Sequence, residues 1–298
     1  MRTNRWTISG GILLLLSTLL ILVMGCNKDP YMPDGEATYY GQGDGRFGGN
    51  NEEQPLLGSI KIMTYNIHAG SPPAYPDSVD MPAIAKAIAT ANPDVVFLQE
   101  VDRGTNRNGY TGDQAKVLAD SLKMNFIYYS AREYLRGFYG VAILSKYPLY
   151  TVRKYLLKLE NESTEQRVLG TAYIDLPGRD SVMAAVTHLQ HNSATNRLQQ
   201  ANDIAGILAL SDAKVVFGAD LNEQESATGF FNVFDQMLTR TCIGGNCPRT
   251  FNAQNPTSVI DYLAYRPATA FSVITHSVVA EHYASDHLPV IAELKFHR

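Results

Sequence analysis

The chain has 298 residues, of which 45% are hydrophobic and 18% charged, and its formal net charge is −4. That balance excludes a disordered chain and is enough for one large domain or two small ones. No internal repeat at a fixed period is visible, which excludes a solenoid or propeller array.

Arg2 and Arg5 form a short basic region, and an apolar run follows from about Gly10 to Val23. The run is shorter than the roughly 20 apolar residues a spanning helix needs, and it fits the apolar core of a secretory signal. It ends in Val23-Met24-Gly25-Cys26, which resembles a lipobox. Residues 1–25 are therefore expected to be a lipoprotein signal peptide, cut before Cys26, whose thiol takes the lipid. An uncleaved anchor with an incidental cysteine is the rival reading. Either one tethers the chain to a membrane, in the cell envelope, periplasmic or at the surface. Arg2 and Arg5 are the charged residues before Cys26, so their removal takes the net charge from −4 to −6. A more acidic chain disfavours a nucleic-acid partner, although a local basic groove would still permit one.

Residues 26–58 are rich in Gly, Pro, Asn, Asp and Glu and read as a flexible tether. Their glycines match no phosphate-binding fingerprint, because no strand precedes them and no helix follows. Order begins at Ser59, where Ile60, Ile62 and Thr64 alternate with Lys61, Met63 and Tyr65 in the period of a strand. Met81 to Ala91 reads as a helix capped by Asp80 with Pro82 in its first turn. Asp94 to Leu98 reads as a strand buried on both faces, and Asp113 to Lys123 as a helix with Ala115, Leu118, Ala119 and Leu122 on one side. Strands follow at Val141–Leu144, Val168–Asp175 and Val182–Thr187, then a helix from about Ala194 to Leu210. Val215–Phe217 is another buried strand, and three last strands fit Ile260–Tyr265, Phe271–Val279 and Leu288–Leu294. Between them, Cys242 and Cys247 flank a turn of Gly244, Gly245 and Asn246. In an oxidising compartment a small disulfide loop is favoured over a zinc pair, since no second ligand pair follows, and over two free thiols. The mixture of hairpins and helices points to stacked sheets with helices outside, not to a doubly wound parallel sheet.

Polar residues collect at the strand ends. Asn66, Glu100 and His188 close three strands, and the strand at 215–217 runs into Asp220 and Asn222. Asp261 and the pair Asp286-His287 instead open strands. If those run antiparallel to the others, all eight groups meet on one rim. Four carboxylates in one cleft repel each other unless a cation joins them. Hard oxygen donors suit Mg2+ or Mn2+. A site of that composition fits hydrolysis of a phosphate ester, with a metal offsetting charge and a base activating water.

Met63-Thr64-Tyr65-Asn66-Ile67-His68, Leu98-Gln99-Glu100-Val101, Gly140 to Pro148, Thr187-His188-Leu189, Gly218-Ala219-Asp220-Leu221-Asn222, Ile260-Asp261-Tyr262 and Ser285-Asp286-His287 occur in that order. The set resembles the motifs of the endonuclease/exonuclease/phosphatase superfamily over about residues 59–296, making 59–298 the expected catalytic domain. Ala219 is an extra residue in the fifth motif, absorbed either by a bulge or by an unchanged register. The resemblance implies a four-layer α/β/β/α sandwich of two mixed sheets flanked by helices. It implies that Glu100 binds the metal with Asn66 assisting, and that Asp286 either contributes to a metal or orients its neighbours. Asp220 would orient or deprotonate water, while Asn222 and His188 contact the phosphate. His287, held by Asp261, would stabilise developing charge or act as base.

Taken singly, each of these residues has a structural reading as a turn, cap or satisfied buried group; the ordered set carries the case. Arg167 and Arg197 read as structural charges, with a substrate-phosphate role for Arg167 the alternative, and His68 and His191 stand beside motif residues. The opening and Glu100-Val101-Asp102-Arg103 resemble the sphingomyelinase-like, lipid-remodelling branch, and the expected partner is a phospholipid headgroup, inositol phosphate or similar ester, bound by a monomer. A secreted nuclease is the alternative, and an inactive binding module ranks below it. Tyr134, Leu135, Phe138 and Tyr139, interleaved with Arg132 and Arg136, form a candidate loop that suits either lipid or stacked bases.

Overall fold

The computed structural model describes residues 39–42, 46–49, 52–161 and 163–298. Cys26, the expected signal peptide and the start of the expected tether lie outside the described residues. In chain order the elements begin β1 (Tyr39–Gln42), β2 (Ser59–Asn66), α1 (Met81–Ala91), β3 (Val95–Arg103), α2 (Gln114–Leu122), β4 (Asn125–Tyr134) and β5 (Gly137–Ser145). They continue with β6 (Leu149–Leu156), β7 (Val168–Leu176), β8 (Asp180–His188), α3 (Ala194–Leu208), β9 (Val215–Asp220) and α4 (Thr228–Met237). The last are β10 (Thr239–Arg240), β11 (Asp261–Arg266), β12 (Phe271–Val278) and β13 (Val290–Phe296). Among the described residues no helix is long and apolar enough to cross a membrane.

The strands form two mixed sheets, ordered β1-β4-β5-β3-β2-β13-β12 and β10-β11-β9-β8-β7-β6. One parallel pair lies at the centre of each, β2 with β3 and β8 with β9. Alternation along the strands builds the layers. Ile60, Ile62, Val95 and Phe97 point from the first sheet toward Val182, Ala184, Val216 and Leu263 of the second. On the other face of the first sheet Met63, Tyr65, Val96 and Leu98 pack against α1 and α2, and Ala185, Phe217 and Ala264 of the second pack against α3 and α4. The result is the four-layer α/β/β/α sandwich.

Local chemistry sets the helix ends. The Asp80 and Asp113 carboxylates accept from Ala83 N and Lys116 N, each at 3.0 Å, at the starts of α1 and α2. Ser193 Oγ accepts from Asn196 N at 3.1 Å at the start of α3. Such caps satisfy first-turn amides that lack a helical partner. Part of the segment read as a tether is a strand: β1 pairs antiparallel with β4, Tyr39 opposite Tyr129. Tyr39 and Tyr40 are β-favouring residue types, and the edge of β4 offers unpaired backbone groups for them to meet. Four further elements stand where the sequence suggested none: β4, β6, α4 and the two-residue β10. Cys242 and Cys247 are joined in a disulfide.

Candidate active site

Backbone register gathers the polar residues on one rim. In the parallel pairs Asn66 stands opposite Gln99, and His188 opposite Asp220. β11 runs antiparallel to β9 and places Asp261 directly across from Asp220. β13 runs antiparallel to β2, so the residues before it return to the same end, where Ser285 Oγ donates to Asn66 O at 2.7 Å. The condition for a single rim is therefore met. Ala219 causes no bulge: β9 stays in register with β8 and β11 through Asp220.

The bulge lies elsewhere. β3 slips against β5 between Leu98 and Val101, and Glu100 takes a left-handed φ of 55°. Bulges re-aim side chains, and this one delivers Glu100 to the cleft. Asn66, fully buried, donates its amide to Glu100 Oε1 at 3.1 Å and to Asp220 Oδ2 at 3.0 Å. Its oxygen accepts from His68 N at 3.0 Å. In this arrangement Asn66 orients two carboxylates.

Asp220 is 1% exposed. Asn222, at φ 51°, turns its backbone N–H back to Asp220 Oδ1 at 2.8 Å. Its side-chain amide lies 3.0 Å from His188 Nε2 and donates to Leu189 O at 3.1 Å. His188 Nε2 is 3.4 Å from Asp220 Oδ2, and His287 Nε2 is 3.8 Å from the same oxygen. His287 Nδ1 lies 2.9 and 3.1 Å from the two oxygens of Asp261, and the Phe251 ring packs on its imidazole.

Burial foremost, then the neighbouring Asp261 charge, raises the Asp220 carboxyl to about 7, against the lowering pull of His287 and the hydrogen bonds from Asn66 and Asn222. Burial would pull His287 down, but the Asp261 charge and hydrogen bond, with Asp220 and Asp286, prevail and lift it to about 10. His188 goes the other way: burial first, then Arg167, His287 and His191, hold it well below the usual histidine range. One neutral and one charged imidazole thus flank one carboxylate, the kind of separation that assigns acid and base roles.

Two groupings offer cation ligands. Atoms of Asp220, Asp261 and His287 lie within 4.8 Å of one another. However, both Asp261 oxygens face His287 Nδ1, and a protonated imidazole has no lone pair for a metal. Glu100 and Asp286 line the cleft beside it, and Asp286 is 3.9 Å from His68 Nδ1. Two oxygen donors open to one space suit a hard cation that fills its shell with water and phosphate oxygen. Glu100 and Asp286 fit a divalent cation of that kind in donor chemistry.

The cleft encloses about 420 Å³. The candidate loop proves to be the β4–β5 hairpin. Its Tyr134 and Tyr139 line the cleft, whereas Arg136 and Phe138 border a separate hollow, and Leu135 is exposed at the tip. His191 lines the cleft, and Arg197 is structural, bonding Glu223 and two backbone carbonyls. Arg107, Glu165 and Phe251 also line it. Sequence reasoning missed these three, since they stand in irregular segments with no local signal that aims them at the rim.

Fold and rim define a class of phosphate-ester-cleaving sandwich enzymes. A model of the Endonuclease/Exonuclease/phosphatase family matches residues 63–287, and the chain belongs to that family. It is 26% identical over 248 residues to the uncharacterized protein YbhP of Escherichia coli K12, covering 79% of this chain and 96% of that one. An endonuclease/exonuclease/phosphatase structure from Beutenbergia cavernae superposes with a TM-score of 0.65 at 25% identity, covering 80% of this chain and 72% of the other. A mannosyl-6-phosphatase from Bacteroides thetaiotaomicron gives 0.62 at 17% identity over 80% and 100%, a likeness of fold alone.

Proposed function

We propose that the protein is a Mg2+- or Mn2+-dependent phosphodiesterase acting outside the cytoplasm on a phospholipid headgroup, inositol phosphate or similar ester. The observation that carries this reading is Asp220, buried, oriented by Asn66 and Asn222, and flanked by a neutral and a charged histidine. With its pKa raised toward neutrality, Asp220 orients a water and takes its proton. His188 and Asn222 contact the phosphate. His287, kept protonated by Asp261, donates to the oxygen on which charge develops. Glu100 and Asp286 would hold the cation, which supplies polarisation of the phosphoryl oxygen. Membership of a family of hydrolytic phosphoesterases supports the reading, as does fold likeness to a protein named a mannosyl-6-phosphatase. The resemblance of the motifs to the sphingomyelinase-like branch and of Val23-Met24-Gly25-Cys26 to a lipobox supports a lipid-proximal substrate and a lipid on Cys26.

The test is hydrolysis by the purified chain with Mg2+, then with chelator. The panel is bis-p-nitrophenyl phosphate, p-nitrophenyl phosphate, sphingomyelin, phosphatidylinositol, DNA and RNA. Chelator-sensitive cleavage of a lipid or small diester is expected. Cleavage of nucleic acid in preference to every other substrate contradicts the substrate assignment, and no cleavage by folded protein contradicts the activity. Loss of labelled palmitate incorporation in Cys26→Ala tests the anchor.

A further inference from the structure

Three arginines that the steps above do not use line the same cleft, namely Arg107, Arg132 and Arg167. Their charges are incompletely matched. Arg107 pairs with the buried Asp102, Nε 2.9 Å from Oδ2. Arg132 and Arg167 share one carboxylate, Glu165, at 2.8 Å from Oε1 and 3.1 Å from Oε2. Within these pairs three guanidinium groups meet two carboxylates, and Glu100 lines the same cleft.

Donors are also left over. The Nε–H groups of Arg132 and Arg167 are shielded from solvent and meet no hydrogen-bond acceptor, and Arg167 as a whole is only 3% exposed. A buried charged donor without an acceptor is costly, and native structures rarely keep one without a reason. Arg132 and Arg167 both line the cleft, so an oxyanion entering it meets their guanidinium groups.

The wall is held in place before any ligand arrives. Arg132 stands over the Tyr134 and Tyr139 rings at 4.7 and 5.3 Å from their centroids, and Arg107 over the same rings at 4.7 and 5.6 Å. Stacking fixes guanidinium planes that would otherwise swing. The wall adjoins the catalytic rim: Tyr139 Oη is 3.4 Å from His188 Nδ1, and Arg167 Nη2 is 3.4 Å from His191 Nδ1.

We propose that Arg132 and Arg167 form a subsite for a second phosphate on the substrate, so that the ester cleaved at Asp220 and His287 belongs to a small molecule bearing two phosphates. This rests on the phosphoesterase reading for the first phosphate. Two guanidinium groups present separate donors, which suits the three acceptor oxygens of a phosphate better than the two of a carboxylate. A small molecule is favoured over a polymer. The cleft offers about 420 Å³ and sets its arginines among the carboxylates Glu100, Glu165, Asp220 and Asp286, and the chain as a whole is at −4, whereas an extended polyanion needs a basic track.

The test is calorimetric binding to the full chain carrying Asp220→Asn, with Mg2+ present. The probes are inositol 1,4-bisphosphate, inositol 4,5-bisphosphate and fructose 1,6-bisphosphate, each against its monophosphates, and a DNA dodecamer. At least one bisphosphate is expected to bind about tenfold tighter than its monophosphates. Adding Arg132→Gln, at a side chain 30% exposed and so tolerant of change, should bring that ratio to about 1, and Arg132→Lys should recover part of it. Arg167→Gln should do the same where thermal melts show it folded. A ratio under about twofold for every pair, or a ratio that Arg132→Gln leaves intact, overturns the subsite. DNA binding that exceeds every bisphosphate overturns its small-molecule assignment. A bisphosphate preference in a wild-type chain that hydrolyses no phosphate ester would instead leave the subsite standing and remove the phosphoesterase reading.

Discussion

His287 presents Nδ1 to both oxygens of Asp261, 2.9 and 3.1 Å away, while its Nε2 faces Asp220 at 3.8 Å. The two aspartates are cross-strand neighbours, so one register places both the partner that keeps the imidazole charged and the carboxylate that uses it. Asp261→Asn should keep the fold and lower kcat by about 10²–10⁴. The paired imidazole stays protonated up to about pH 10, and without the Asp261 charge it loses its proton at lower pH. The alkaline limb of the pH–rate profile should therefore move to lower pH. A lower kcat with that limb unmoved would assign Asp261 another role.

Asn66 ties Glu100 to Asp220. Asn66→Ala should raise the Mg2+ concentration for half-maximal activity and lower activity by about 10–100-fold, the range for residues that orient ligands. Asn66→Asp keeps the size but sets a third carboxylate between two others, so it should be worse than alanine. Metal titration of both variants checks the order.

Gly218 sits two residues before Asp220, and a Cβ there would lie 2.3 Å from Phe97 Cδ2 of the facing sheet. Gly218→Ala should cost about 1–3 kcal/mol through overpacking and should reduce activity by shifting β9 beneath Asp220. Adding Phe97→Leu should restore part of the stability. Denaturant unfolding measures both effects.

His276 is partly buried, its Nδ1 2.8 Å from Thr241 Oγ1, and burial lowers its pKa from 6.5 to about 4. Between those values the unfolded chain binds the extra proton and the folded chain does not. Its contribution is present in full above pH 6.5 and is lost as the pH falls toward 4. His276→Phe should flatten the pH dependence of stability in that window, as read by melting temperature against pH.

Regular elements were legible where local chemistry and burial agree. The Asp80 cap marked α1, the apolar side of Ala115, Leu118, Ala119 and Leu122 marked α2, and alternation in Ile60-Lys61-Ile62 marked the strand that carries Asn66. The site residues were legible because each stands at the end or start of such a strand. The missed elements lack those signals. β4 (Asn125–Tyr134) is buried on both faces for its first half and mostly half-buried on both later, which leaves no clean period. α4 (Thr228–Met237) has no side-chain cap and carries three phenylalanines, residues that favour strands. It is helical because those rings pack on Phe217 and Tyr262, which is tertiary information. The arginine wall was legible in part: Arg167 carried a substrate-phosphate reading and Arg132 stood in the candidate loop, whereas Arg107 lies in an irregular turn and the three are far apart in sequence.

The most direct measurement is turnover of bis-p-nitrophenyl phosphate by the wild-type chain and by Asp220→Asn across a Mg2+ titration, with folding checked by circular dichroism. The account predicts chelator-sensitive wild-type turnover and a loss of about 10²-fold or more in the variant at every Mg2+ concentration. Equal rates from the two folded proteins would contradict the role given to Asp220.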